Sequence, residues 1–289
     1  MFHGYFAAVA TPFSGGAIDF SAFERYMLYI ANSGVSGAVV GACTGEAISL
    51  SVDEKIELSS VAAKTVSGKI KIIAGVMETT TNGCLELIKN LEKHVDGFLC
   101  ICPYFVKPSS EQTYLHLHRL SSSTTRSIII YNNPLRTCSK IDFDTLQKLA
   151  ELNNVVAIKD CSSDISVFTS WRTRLKENFA FLSGIDNAAC GALAMGADGV
   201  VSVSANIMPE MCVKLYNSFR KGDMERFAPL RDMLHPLHEL MFAAPSPAPA
   251  KYALSKMGYM SDELRAPLTT IDQDLRAKID DFLKKAALI

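Results

Sequence analysis

The sequence predicts an α/β fold, a closed (β/α)8 TIM barrel with a C-terminal helical extension, on three observations. Short apolar runs bounded by Gly, Pro, Asn or Asp alternate with longer stretches of helical periodicity, the rhythm of βαβ units. Eight such pairs follow one another at about 25-residue spacing and end near Arg220, and eight parallel strands are the number that closes into a barrel. The glycine-rich phosphate loop of an open doubly wound sheet is missing after the first strand, where Ala10-Thr-Pro-Phe-Ser-Gly-Gly16 does not read GxGxxG.

The strands are expected at residues 6–9, 37–41, 70–76, 97–101, 127–131, 155–159, 179–183 and 199–203. Several lack any alternation, as in Ser127-Ile-Ile-Ile-Tyr131, which suits a parallel strand covered on both faces. Three helix starts carry the S-x-x-E/Q capping box, at Ser21 to Glu24, Ser51 to Glu54 and Ser109 to Gln112. After Gly222 the pattern becomes helical without strands. The Pro-rich stretch from Ala244 to Pro249 reads as a turn between helices, and an amphipathic segment over 272–285 closes the chain. The expected division is a catalytic barrel over 1–222 and a helical domain over 223–289.

Composition narrows the function classes. With 289 residues and 48% hydrophobic content the chain can build one large core. A formal charge of −1, without runs of like charge, makes nucleic acid and acidic membrane surfaces poor partners. The N-terminal residues do not read as a signal peptide and no apolar run approaches the roughly 18 residues of a membrane span, so a cytoplasmic protein is expected. Eight cysteines without a CxxC pair read as free thiols. His235 and His238 lack a convincing third ligand, so no metal site is expected.

In such a barrel the reactive groups stand at the C-terminal ends of the strands. Lys159 closes the run Val155-Val-Ala-Ile-Lys159; an amine carried toward an apolar interior is pushed toward its neutral form, which can attack a carbonyl and form a Schiff base. Tyr131 closes another run, and its phenol can move protons. In Cys43-Thr44-Gly45-Glu46, after the second strand, Gly45 lets backbone donors approach an anion and Thr44 adds a hydroxyl. Singly, each has a plainer reading: a rim lysine, a buried tyrosine, an ordinary turn.

Together they form part of an ordered set. Thr11-Pro12-Phe13, Thr44-Gly45-Glu46, Pro103-Tyr104-Phe105, Tyr131-Asn132-Asn133-Pro134 with Arg136-Thr137, Ile158-Lys159-Asp160, Ser183-Gly184-Ile185-Asp186 and the segment from Gly199 to Asn206 follow in that order. With these landmarks the chain resembles the dihydrodipicolinate synthase and N-acetylneuraminate lyase superfamily over nearly its whole length. The resemblance implies Lys159 as the Schiff-base lysine and Tyr131 as the catalytic tyrosine. It implies Thr44 with the Gly45 backbone as the grip on the pyruvate carboxylate, the Val201 backbone beside bound pyruvate, and Gly184 lining the site. It further implies a covalent lysine imine with no metal or organic cofactor, and a homotetramer or homodimer in which a neighbour's aromatic residue reaches the site.

Arg136 matches the synthase branch, where an arginine holds the carboxylate of L-aspartate 4-semialdehyde, a group its guanidinium can bind bidentately. The reaction so implied condenses pyruvate with that aldehyde to 4-hydroxy-tetrahydrodipicolinate, in lysine and diaminopimelate biosynthesis. Two positions depart from the pattern: Cys43 stands where synthases usually carry a relay threonine, and Phe105 where they carry a second tyrosine. Those departures keep two other readings open, a pyruvate-releasing aldolase for a 2-keto-3-deoxy sugar acid or N-acetylneuraminate, and a catalytically silent paralogue that binds a keto acid.

Overall fold

The structure, a computed structural model, describes residues 2–289. Eight parallel strands close into a barrel: β1 (Gly4–Ala8), β2 (Gly37–Val40), β3 (Lys71–Val76), β4 (Gly97–Ile101), β5 (Ser127–Asn132), β6 (Val155–Asp160), β7 (Ala180–Ser183) and β8 (Gly199–Ser202). Each overlaps its predicted segment. The ring closes where β1 pairs with β8, Gly4 opposite Gly199 and Phe6 opposite Val201.

Burial on both faces explains the missing alternation. One apolar residue from every strand points inward, namely Phe6, Val39, Ile73, Leu99, Ile129, Ala157, Leu182 and Val201. Their neighbours, such as Tyr5, Ala38, Ile72, Phe98, Ile130, Ile158, Phe181 and Val200, point out beneath the helices. The period-two geometry of a strand therefore sends an apolar side chain to each layer in turn.

Eight helices surround the ring: α1 (Phe20–Ala31), α2 (Val52–Val66), α3 (Thr81–Leu91), α4 (Ser110–Ser122), α5 (Phe143–Ala150), α6 (Val167–Arg172), α7 (Ala189–Ala194) and α8 (Pro209–Lys221). The capping boxes at Ser51 and Ser109 form with both reciprocal bonds. The third does not. Helix α1 starts at Phe20 and is capped by Asp19, whose carboxylate accepts from the Ala22 N–H at 2.9 Å, leaving Ser21 inside the first turn. Asp caps as well as Ser, and the residue before the first helical position takes the role.

Three more helices follow, α9 (Met224–Met241), α10 (Ala248–Lys256) and α11 (Gln273–Lys285). The Pro-rich stretch supplies the turn between α9 and α10, with Pro249 in the first turn of the latter. The C-terminal region is tied to the barrel by polar anchors: His238 Nδ1 on α9 lies 2.8 Å from Ser204 Oγ, and Glu263, between α10 and α11, accepts from the Gly15 and Gly16 N–H groups. His235 instead faces Glu239 on the surface, so the two histidines do not converge. Among the described residues no helix is long and apolar enough to cross a membrane, and all eight cysteines are free.

Candidate active site

Lys159 sits two residues after Ala157 on β6, so its side chain shares the inward face, and it is only 7% exposed. Its direct neighbour across the β5–β6 ladder is Tyr131, and the ammonium nitrogen lies 4.4 Å from that ring's centroid. Space for the lysine comes from Gly184, just beyond β7. A Cβ on that residue would fall 2.5 Å from Lys159 Cε and 2.2 Å from Cys161 Sγ, closer than real atoms approach. The Gly184 N–H is itself fixed by the Asp160 carbonyl at 2.7 Å.

Tyr131 is 3% exposed and its hydroxyl has two protein partners. It accepts from Asn133 Nδ2 at 3.0 Å and donates to Cys43 Sγ at 3.8 Å. Burial pushes its phenol well above the ordinary range, and the thiols of Cys161 and Cys43 add to the shift. Burial likewise lifts the Cys161 thiol to about 11. The hydroxyl therefore keeps its proton at neutral pH.

The turn after β2 supplies the third part. Gly41 adopts a φ of 60°, the Glu46 N–H bonds the Cys43 carbonyl at 3.1 Å, and the Gly45 carbonyl is tied down by Thr11 Oγ1 at 2.8 Å. Among the described residues nothing accepts a hydrogen bond from the N–H groups of Thr44 or Gly45. Two unspent backbone donors thus stand beside the buried Thr44 side chain. Val201 completes the floor from β8, 2% exposed in the inward layer. The loop after it is held by Asp186, which accepts from the N–H groups of Val203 and Ser204 at 2.9 and 3.0 Å.

Lys159, Tyr131, Cys43 and Gly184 thus form one contiguous cluster, with Thr44, Gly45 and Val201 on the same end of the barrel. Two other predicted residues lie outside that cluster. Arg136 is exposed on a one-turn helix, Pro134–Thr137, that follows β5, and among the described residues its guanidinium pairs with no carboxylate. Phe105 is 93% exposed with a φ of 72°, in the loop after β4. The neighbouring Tyr104 turns inward instead, its hydroxyl donating to the Met77 carbonyl at 3.1 Å.

Four residues beside these have no individual role in the sequence reading. Cys161 faces inward two residues after Lys159, a placement that strand parity alone could have supplied. Asn133 acts through its amide on Tyr131. Asn132 and Asp160 bond each other at 2.6 Å on the outward face, and Asp160 also accepts from the Ser162 N–H, which ties β5 to β6 behind the pair that faces inward.

Known proteins bear on this arrangement. The model described as the Dihydrodipicolinate synthetase family matches residues 1–286. The chain is 35% identical over 292 residues to 4-hydroxy-tetrahydrodipicolinate synthase of Hyphomonas neptunium, covering 100% of this chain and 99% of the relative. It superposes on dihydrodipicolinate synthase from Aquifex aeolicus with a TM-score of 0.96 at 33% identity, covering 99% of each chain. The chloride-inhibited dihydrodipicolinate synthase of Acinetobacter baumannii, complexed with pyruvate, matches at 0.96 and 30% identity over 100% of both chains. With the family model matched over residues 1–286 and a relative covered over nearly its whole length, the chain belongs to the dihydrodipicolinate synthetase family.

Proposed function

We propose that this protein condenses pyruvate with L-aspartate 4-semialdehyde to 4-hydroxy-tetrahydrodipicolinate, through a covalent imine on Lys159. The observation that carries the reading is a buried amine stacked on a protonated tyrosine at the end of the barrel where two backbone donors stand free. Pyruvate enters with its carboxylate on Thr44 and Gly45. The Lys159 nitrogen adds to the keto carbon, Tyr131 delivers a proton to the developing alkoxide, and loss of water leaves the imine. The imine draws electrons from the methyl carbon, which gives up a proton to the phenolate that Tyr131 became in the previous step, restoring the phenol and forming the enamine. That carbon attacks the aldehyde, and the amino group of the semialdehyde then displaces Lys159 as the ring closes. The imine is itself the electron sink, so the chemistry calls for no metal or organic cofactor.

Arg136 is assigned to the carboxylate of the aldehyde substrate, Gly184 and Val201 to the walls beside pyruvate. We assign residues 223–289 to a helical domain seated on the barrel, and the exposed Phe105 to a contact with a second copy in a homodimer or homotetramer. The eight free thiols fit a reducing cytoplasm. A second reading draws on Cys43: a thiol is the acceptor that Tyr131 meets, so proton transfer is slower with this aldehyde or the enzyme serves another one. Incubation with pyruvate and borohydride, followed by intact mass and peptide mapping, is expected to show one reduced adduct on Lys159. Product formation with pyruvate and a panel of aldehydes is expected to be fastest for the semialdehyde. No adduct would leave the silent paralogue, and an adduct with pyruvate release from a sugar acid would favour the aldolase.

A further inference from the structure

The turn that presents Thr44 and Gly45 is braced from outside the barrel wall. Glu46, the next residue, holds a left-handed φ of 56°, a conformation that costs a non-glycine residue about 1 kcal/mol or more unless its surroundings enforce it. What enforces it here is its carboxylate. Oε1 accepts from Lys251 Nζ on α10 at 2.8 Å, and Oε2 accepts from the Arg265 N–H at 3.0 Å. Both charged side chains of the Lys251–Glu46 pair are 0% exposed. Phe13 lies against the same lysine, with Nζ 4.2 Å from its ring centroid, while Thr11 fixes the Gly45 carbonyl from below. Lys251 and Glu46 are 205 residues apart in sequence, so the brace joins the C-terminal helices to the barrel's anion-binding turn.

A buried ion pair is a poor source of stability, because removing two charges from water costs about as much as their attraction returns, and apolar residues of similar volume often serve as well. An apolar pair could not hold the Glu46 backbone in its left-handed state through two directed hydrogen bonds. The pair's distinctive contribution is geometric. We propose that Lys251 is a positioning residue for pyruvate: through Glu46 it sets the direction of the Thr44 and Gly45 N–H groups, so the C-terminal helices control affinity for the keto acid. This rests on the reading of that turn as the carboxylate grip.

Lys251→Met alone strands a buried carboxylate and risks the fold, so the deciding protein is the double variant Glu46→Gln with Lys251→Met, which removes both charges and keeps an acceptor for the Arg265 N–H. With the wild-type circular dichroism spectrum retained, its KM for pyruvate is expected to rise at least about tenfold, while kcat and the KM for the aldehyde move less than about twofold. A pyruvate KM near the wild-type value, or a parallel fall in kcat with both KM values raised, overturns the proposal. Thr44→Val is the companion measurement. If it raises the pyruvate KM and the double variant does not, only the role of Lys251 falls; if it leaves that KM unchanged, the carboxylate grip falls and the inference with it.

Discussion

The buried half of the site and its rim are built on different terms. Around Lys159 every position is over-determined: strand parity aims the amine inward, Gly184 clears its path, Tyr131 stacks on it, and Asn133 and Cys43 pin the phenol. Around Arg136 and Phe105 little is fixed within one chain, since both side chains stand in solvent on short loop segments. The contrast separates two jobs. On the reading proposed above, covalent capture of the keto acid falls to the closed core of strands, where a displacement of an ångström is costly. On the same reading, choice of the second substrate falls to surface segments, which tolerate change and are the usual place for specificity to vary.

That division breaks if a core substitution is tolerated or a rim substitution abolishes capture. The largest effect is expected for Gly184→Ala, whose methyl would occupy the space of Lys159 Cε: the rate of borohydride-trappable adduct formation with pyruvate should fall about 100-fold or more. A normal trapping rate would show that the lysine can swing clear, and the core would then be looser than described. Arg136→Lys should leave pyruvate trapping untouched while raising the KM for the semialdehyde about tenfold, because an ammonium cannot reproduce the two-pronged grip on a carboxylate. Slower trapping in that variant would place the arginine in the first half of the reaction and dissolve the distinction.

The smallest effect is expected for restoring oxygen to the altered positions. Cys43→Thr puts a hydroxyl against Tyr131, and Phe105→Tyr restores the second phenol on the rim, so together they should raise kcat with the semialdehyde a few-fold, about 3 to 10. Turnover that is unchanged, measured by coupled assay, would mean that the thiol at Cys43 already passes protons well enough.

The same contrast governs what could be read from the sequence. Lys159 and Tyr131 were legible because a polar side chain closing an apolar parallel strand interrupts the pattern of burial just where a barrel opens, and each landed on the inward face at the C-terminal end. Val201 and Gly184 became legible only through the resemblance, since nothing local marks a valine in an apolar strand or a glycine after one. The failed capping box at Ser21 shows a limit of pattern alone: Asp19 offers an equally good acceptor two residues earlier, and the chain takes it. Lys251 was illegible for a different reason. Its partner lies in another element far along the chain, and a lysine in the first turn of a helix just after a Pro-rich stretch gives no hint of its own burial.

The seam between β1 and β8 has a bearing on how the molecule comes into being. Gly4 waits for Gly199, so the entropy of closing a very long loop is met before the ring exists, and no circle of strands can form while the ribosome still holds the last of them. Lys159 is synthesised well before its enclosure is finished, and Lys251, the partner of Glu46, arrives later still. A half-made chain therefore carries Lys159 without the ring of strands that buries it, and the enclosure forms only once β8 has been made.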